Sequence, residues 1–184
     1  MEPTASKIII RDAEAAEATK VERLVRCMLE ELATMGGIPV NTDEGAWASV
    51  AGEISQAIES EEQLFLIAEQ TGHPATPIGL AHASVVIREA VFEPASKLHV
   101  HGLYVEPNHR RRGIGRSLLD SAMAWGRAKG CTEAELNVLR QNPARRLYEC
   151  LGFRAFQTEM VLDLLAALAR CSRGSARAGV DPSV

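Results

Sequence analysis

The sequence predicts an α/β single domain, on three patterns. Residues 98–105, Leu-His-Val-His-Gly-Leu-Tyr-Val, are rich in bulky and β-branched side chains without a helical period; they read as a strand, which runs through a glycine-bearing turn into a helix. Upstream, Ala18, Val21, Leu24, Val25, Met28, Leu29 and Leu32 recur at helical spacing behind a short apolar strand at 7–11. Two further apolar runs, 64–68 and 78–87, are split by a proline-bearing turn, as in a strand hairpin. A chain of 184 residues with 46% hydrophobic content suits one domain with a sizeable core.

Taken in order, residues 1–6 read as a disordered leader, and Asp12 is placed to cap the first helix, which Gly36 and Gly37 end. Thr42 or Asp43 can cap a second helix whose apolar side is Trp47, Val50, Ile54 and Ile58. His82 falls in the 78–87 strand and His73 in the turn before it; a lone histidine in such a strand is ordinarily packed or at the surface. Residues 88–96 connect to the central strand, with Val91 and Phe92 available to a partner or substrate.

The central strand is followed by turn residues Glu106 to His109 and then by Arg110, Arg111, Arg112, Gly113, Ile114, Gly115 and Arg116, which lead into Leu118, Leu119, Ala122, Met123 and Trp125 on one helix face. The first turn of a helix leaves N–H groups without partners and carries the positive end of the macrodipole, so it holds anions. Glycines let a ligand oxygen approach the main chain, and arginines add forked donors, so a pyrophosphate fits such a loop. The sequence lacks the Gly-Lys-Ser/Thr of a P-loop, and Leu118 stands where a dinucleotide fingerprint needs its third glycine. It does match R/Q-x-x-G-x-G/A through Arg110, Gly113 and Gly115, and over roughly residues 7–165 it resembles the GCN5-related N-acetyltransferase (GNAT) family. The resemblance implies that this loop grips the pyrophosphate of acetyl-CoA.

Alternation along the central strand would put His99, His101, Leu103 and Val105 on one face and Val100, Gly102 and Tyr104 on the other. An isolated His-x-His can bind metal, but no third ligand stands at a telling spacing, and no metal is expected. His99 lies eleven residues before Arg110, and the pair is similar to the His-x-His of arylalkylamine N-acetyltransferases. That resemblance implies that His99 and His101 remove or relay a proton, the order between them left open. An alkylammonium of pKa about 10 must lose a proton before it attacks, and an imidazole near ~6.5 is mostly neutral at pH 7. The family also implies that the backbone of Leu103 and Val105, flanking Tyr104, bonds the pantetheine arm and the thioester oxygen; one such donor contributes roughly 3 kcal/mol in other enzymes.

After Gly130 comes a strand at 134–139 and then Gln-Asn-Pro-Ala-Arg-Arg-Leu-Tyr-Glu-Cys-Leu-Gly-Phe at 141–153, outlined as a short helix by Asn142, Pro143 and Gly152. It resembles the second motif of the family. By that likeness Gln141 or Asn142 offers an amide to the cofactor arm, Asn142 serving equally as a helix cap, and Tyr148 protonates the departing thiolate. Residues 155–164 are expected to be a closing hairpin strand and 166–184 a flexible tail. The family's fold would be a mixed, strongly twisted sheet of about six to seven strands flanked by helices on both faces.

Net charge −4 argues against a nucleic-acid partner, and no apolar run reaches membrane-spanning length. With no signal peptide in view, a cytoplasmic protein is expected. Cys27, Cys131, Cys150 and Cys171 show no paired spacing and read as reduced thiols. The resemblance implies direct attack by an amine on acetyl-CoA in a ternary complex, rather than a thiol route through Cys150 or Cys131. A small primary amine is favoured, such as an arylalkylamine or polyamine, with aminoglycosides open. An acceptor on protein N-termini or lysines, and a non-catalytic acetyl-CoA sensor, stand as alternatives. A homodimer is compatible with the reading, and whether residues 36–62 form a lid is open.

Overall fold

The computed structural model describes residues 7–71 and 76–164. Five strands, β1 (Ile8–Asp12), β2 (Gln63–Gln70), β3 (Gly79–Ile87), β4 (Ser96–Val105) and β5 (Ala134–Leu136), form one sheet in chain order. The first four are antiparallel and β5 joins β4 in parallel, so the sheet is mixed, as expected. Among the described residues it is accompanied by the helices α1 (Ala18–Thr34), α2 (Glu44–Ile58), α3 (Ile114–Ala128) and α4 (Arg145–Cys150).

The helices divide between the two faces because alternate strand residues point to opposite sides. Phe65, Ile67, Leu80 and Tyr104 face α1 and α2, meeting Val21, Leu24 and Ile54. Leu64, Leu66, Ala81, Leu98 and Val100 face α3 and α4, meeting Ile114, Leu118, Leu119, Ala122 and Tyr148. Gly126 lets α3 settle on β4: a Cβ there would stand 3.0–3.1 Å from the Leu98 side chain. Asp43 caps α2, its carboxylate accepting from the Ala46 N–H at 2.9 Å. Arg26 ties α2 to α1 by pairing with Glu44 at 2.7 Å and lying 5.2 Å over the Trp47 ring.

Several sequence expectations are corrected. Asp12 ends β1 instead of capping; the turn entering α1 is closed by Glu17, whose carboxylate accepts from the Glu14 N–H at 3.2 Å. The strand expected at 134–139 stops at Leu136. Residues 154–163 form no strand, and Phe156, Met160 and Val161 are about 90% exposed. Alternation supplies the side-chain pattern of a strand, but a strand also needs a backbone ladder, so five strands stand among the described residues where six to seven were expected. Residues 7–153 of the description form one compact unit and 154–164 belong to a second. The leader, the tail and His73 lie outside the described residues. Among the described residues no helix is long and apolar enough to cross a membrane.

Leu118 is fully buried and the adjacent Ser117 is exposed on the same helix. Leu118→Ala is expected to cost about 2–5 kcal/mol in urea unfolding, against within about 0.5 kcal/mol for Ser117→Ala.

Candidate active site

The site begins with an irregularity in β4. Its pairing with β3 runs Ser84 to His99 and Ala83 to Val100, then jumps to His82 with Gly102, so His101 is an extra, unpaired residue: a β-bulge. The bulge resets the alternation. Leu98 and Val100 face α3, and so do Leu103 and Val105, while Tyr104 turns to the α1–α2 face. Two residues expected beside the histidines, Leu103 and Val105, are therefore on the other side of the sheet from them, and Tyr104 is on their side. Gly102 lies directly beneath α1, where a Cβ would fall 2.8 Å from Met28 Cε.

Re-aimed in this way, His101 joins a stack of rings. Its centroid is 4.5 Å from that of His82, which lies 4.0 Å from Phe65; His99 is tilted against His101, also at 4.5 Å. Each imidazole has a polar partner. His101 Nε2 meets Ser84 Oγ at 2.7 Å, His82 Nε2 meets Gln63 Oε1 at 3.0 Å, and His99 Nδ1 meets Glu135 Oε1 at 3.0 Å. Burial, reinforced by the neighbouring imidazoles, pushes His82 down to about 4, and burial with His99 lowers His101. Burial acts to raise the Glu135 carboxyl, but hydrogen bonds from Lys97 and His99 outweigh it and leave the group lowered. Among the described residues no cluster of histidine, cysteine and carboxylate side chains is arranged to hold a metal ion.

Ser84, Gln63 and Glu135 were not singled out by the sequence, and His82 was read there as a packed or surface residue. The signal was a hairpin register: placing 82 and 84 beside 99 and 101 requires knowing both the pairing and the bulge. With Ser60 and Glu62 from the turn between α2 and β2, Gln63, His82, Ser84 and His101 line a cavity of about 300 Å³.

At the far end of β4 the backbone takes over. The Glu106 N–H reaches the Ile78 carbonyl beside β3 at 2.9 Å, so by alternation the amides of Leu103 and Val105 face the opposite edge. β5 has ended there, because its pairing with β4 stops at Val100 and Leu136. Beyond lies the start of α3. Its N-cap is Gly113, in the left-handed region at φ 81°, which offers no capping side chain and leaves the amides of Ile114, Gly115 and Arg116 without an intrahelical acceptor. A Cβ on Gly115 would point at Leu103, Val105 and Leu147.

The arginines divide. Arg111, Arg112 and Arg116 are exposed at the loop, Arg112 beside His109 at 3.3 Å and Arg116 beside Asp120 at 3.6 Å. Arg110 turns inward: it grips Glu31 of α1 with two bonds of 2.9 and 2.6 Å, donates to the Val105 carbonyl at 2.7 Å and lies 5.6 Å over the Tyr104 ring. Its guanidinium thus braces the loop.

Tyr148 is buried on the α3 side, edge-on to Phe153 at 6.0 Å, and burial raises its phenol above the ordinary value. The amide of Gln141 donates to the Met35 carbonyl at the end of α1, and Asn142 Oδ1 accepts from the Ala144 N–H at 2.9 Å. Both side chains expected at the cofactor are thus engaged within the protein, and Asn142 closes the turn before α4 instead of capping the helix, whose N-cap is Ala144 with no side-chain cap bond. The histidines and Tyr148 lie on opposite faces of the sheet.

Comparison with known proteins bears on this arrangement. Residues 28–153 match the model of the acetyltransferase (GNAT) family. An alignment of 66 residues is 35% identical to glucosamine 6-phosphate N-acetyltransferase of Trypanosoma brucei brucei, covering 36% of this chain and 44% of that protein. Another, of 106 residues, is 30% identical to aminoglycoside N(6')-acetyltransferase type 1 of Klebsiella aerogenes, covering 50% of this chain and 70% of that one. The matched segment thus spans less than half the length of the trypanosomal relative. Among solved structures, aminoglycoside N-acetyltransferase AAC(6')-Iy in complex with CoA superposes with a TM-score of 0.69 at 19% identity, over 89% of this chain and 98% of that one. A mutant of the BH1408 protein from Bacillus halodurans gives 0.72 at 23%, over 85% and 99%. These structures share its fold. With a family match extending across about two thirds of its length and both glycine-loop and second-motif segments inside it, the chain belongs to the acetyltransferase (GNAT) family.

Proposed function

We propose that this protein transfers the acetyl group of acetyl-CoA to the primary amine of a small molecule by direct attack, with no acyl-enzyme. The observation that carries the reading is the bulge in β4, which aims a neutral imidazole at one end of a strand whose other end offers unpaired amides toward an uncapped helix start. The relatives named N-acetyltransferases of amino sugars and aminoglycosides support it.

Acetyl-CoA supplies an activated acyl group and a thiolate leaving group. The residues divide the remaining work. The amides of Ile114, Gly115 and Arg116, with Arg111 and Arg112, receive the pyrophosphate, and the Leu103 and Val105 amides lie where the pantetheine arm and thioester oxygen pass along β4. His101, kept below its ordinary pKa by burial, stays unprotonated at neutral pH and takes the proton from the incoming ammonium, directly or through water. Its bond to Ser84 fixes the ring. His99, held by Glu135, stands next to it as a relay. Tyr148, kept protonated by burial, returns a proton to the sulfur.

The test is calorimetry with acetyl-CoA followed by thiol-release assays over an amine panel that includes aminoglycosides, amino sugars and arylalkylamines; no turnover with any amine would remove the assignment. Once an acceptor is found, His101→Ala is expected to lower kcat/KM by about 10²–10⁴ with acetyl-CoA affinity held. The acid limb of the wild-type kcat/KM profile should lie below pH 6.5.

Tyr148→Phe should depress kcat while leaving the dissociation constant of acetyl-CoA near the wild-type value; equal kcat would exclude the phenol as the acid.

The half-buried His82 has a consequence for stability. Its folded pKa of about 4 is below the ordinary 6.5, so between these values the unfolded chain binds the proton and the native state does not. The stability it contributes is present above pH 6.5 and lost as pH falls through 4, on the order of 3 kcal/mol. Urea unfolding of His82→Phe is expected to show a shallower decline across that window than the wild type.

A further inference from the structure

The cavity beside His101 is chemically one-sided. The two imidazoles in its wall, the half-buried His82 and the more exposed His101, are both lowered from the ordinary histidine value by desolvation, and no lysine or arginine lines it. Glu62 is its only carboxylate, exposed at the α2–β2 turn and in no ion pair among the described residues. The remaining polar groups are the hydroxyls of Ser60 and Ser84 and the amide of Gln63. His82 is sandwiched between Phe65 and His101, so both faces of its ring are covered and it offers no stacking face to an aryl group. A volume of about 300 Å³ is at the small end for ligand sites and suits a small acceptor or one ring of a larger one.

Resting on the acetyl-transfer reading, we propose that this cavity is the acceptor subsite and selects a hydroxyl-bearing aliphatic amine with a second cationic centre, Glu62 receiving that second charge while the reacting nitrogen lies at His101. Ser60, Ser84 and Gln63 bond the hydroxyls. An anionic acceptor is disfavoured, since it would bring negative charge against an unpaired carboxylate. This selection differs from the arylalkylamine preference that the His-x-His pattern suggests.

Four acceptors separate the possibilities: neamine, glucosamine, glucosamine 6-phosphate and phenethylamine. The full chain is expected to favour neamine by kcat/KM, with the phosphorylated sugar and the aryl amine poorest. Glu62→Gln should raise KM for neamine at least about tenfold more than for glucosamine, with kcat for neamine little changed, and Glu62→Asp should retain most of the discrimination. Equal effects of Glu62→Gln on both sugars, or a preference for phenethylamine, would overturn the subsite. Thermal unfolding and acetyl-CoA affinity of each variant establish that it is folded. If no acceptor is acetylated, the transfer reading fails separately, and calorimetry of neamine alone decides the cavity. Binding weakened about tenfold in Glu62→Gln supports it, and equal or absent binding rejects it.

Discussion

One residue too many in β4 organises the functional half of this protein. A regular strand would have kept His99, His101, Leu103 and Val105 on a single face, so that the imidazoles and the apolar wall against α3 competed for the same layer. Inserting His101 as a bulge lets the first part of the strand present imidazoles toward α1 and α2 and the second part present Leu103 and Val105 toward α3. The disruption leaves a position without its ladder bonds, and the surroundings compensate locally. Ser84 bonds the displaced ring, His82 stacks on it, and Gly102 gives Met28 room to close the layer above.

The electrostatics follow from that placement. Partial burial beside His99 lowers His101 with no carboxylate bonded to its ring, whose polar partner is Ser84. The carboxylate is instead placed one ring away, on His99, where Glu135 also pairs with Lys97. At the opposite end of the strand the signs reverse: uncompensated amides and exposed arginines gather at the start of α3. A single strand thus joins an end that bears imidazoles to one that bears unpaired amides, and the side chains of Leu103 and Val105 pack against the α3 face.

Local chemistry was legible in the sequence; register was not. The glycine loop and α3 could be read because turn residues, arginines and helical periodicity are encoded within twenty residues. α1, α2, the hairpin and the cap at Asp43 followed from the same short-range signals. Tyr148 and the two central histidines were picked out by their resemblance to family motifs. By contrast, nothing in the residues around position 101 marks the bulge, so the faces of Leu103, Val105 and Tyr104 were misassigned. His82 looked solitary because its partners lie on other strands. The strand expected at 155–164 has the right alternation, but pairing is a property of neighbours. Arg110 and Gln141 carry donor groups suited to a ligand, yet their partners are Glu31 and the Met35 carbonyl, both at the end of α1 and roughly eighty to a hundred residues away in sequence.

The brace between Arg110 and Glu31 also constrains how the chain can diverge. The arginine that opens the glycine motif is held by a carboxylate on a helix that contributes nothing else to that motif, through a forked, geometrically demanding pair. Drift at position 31 is therefore not neutral: loss of the acid would strand a half-buried guanidinium beside the loop, and a lineage could change either residue only by changing both or by finding a new anchor for the turn.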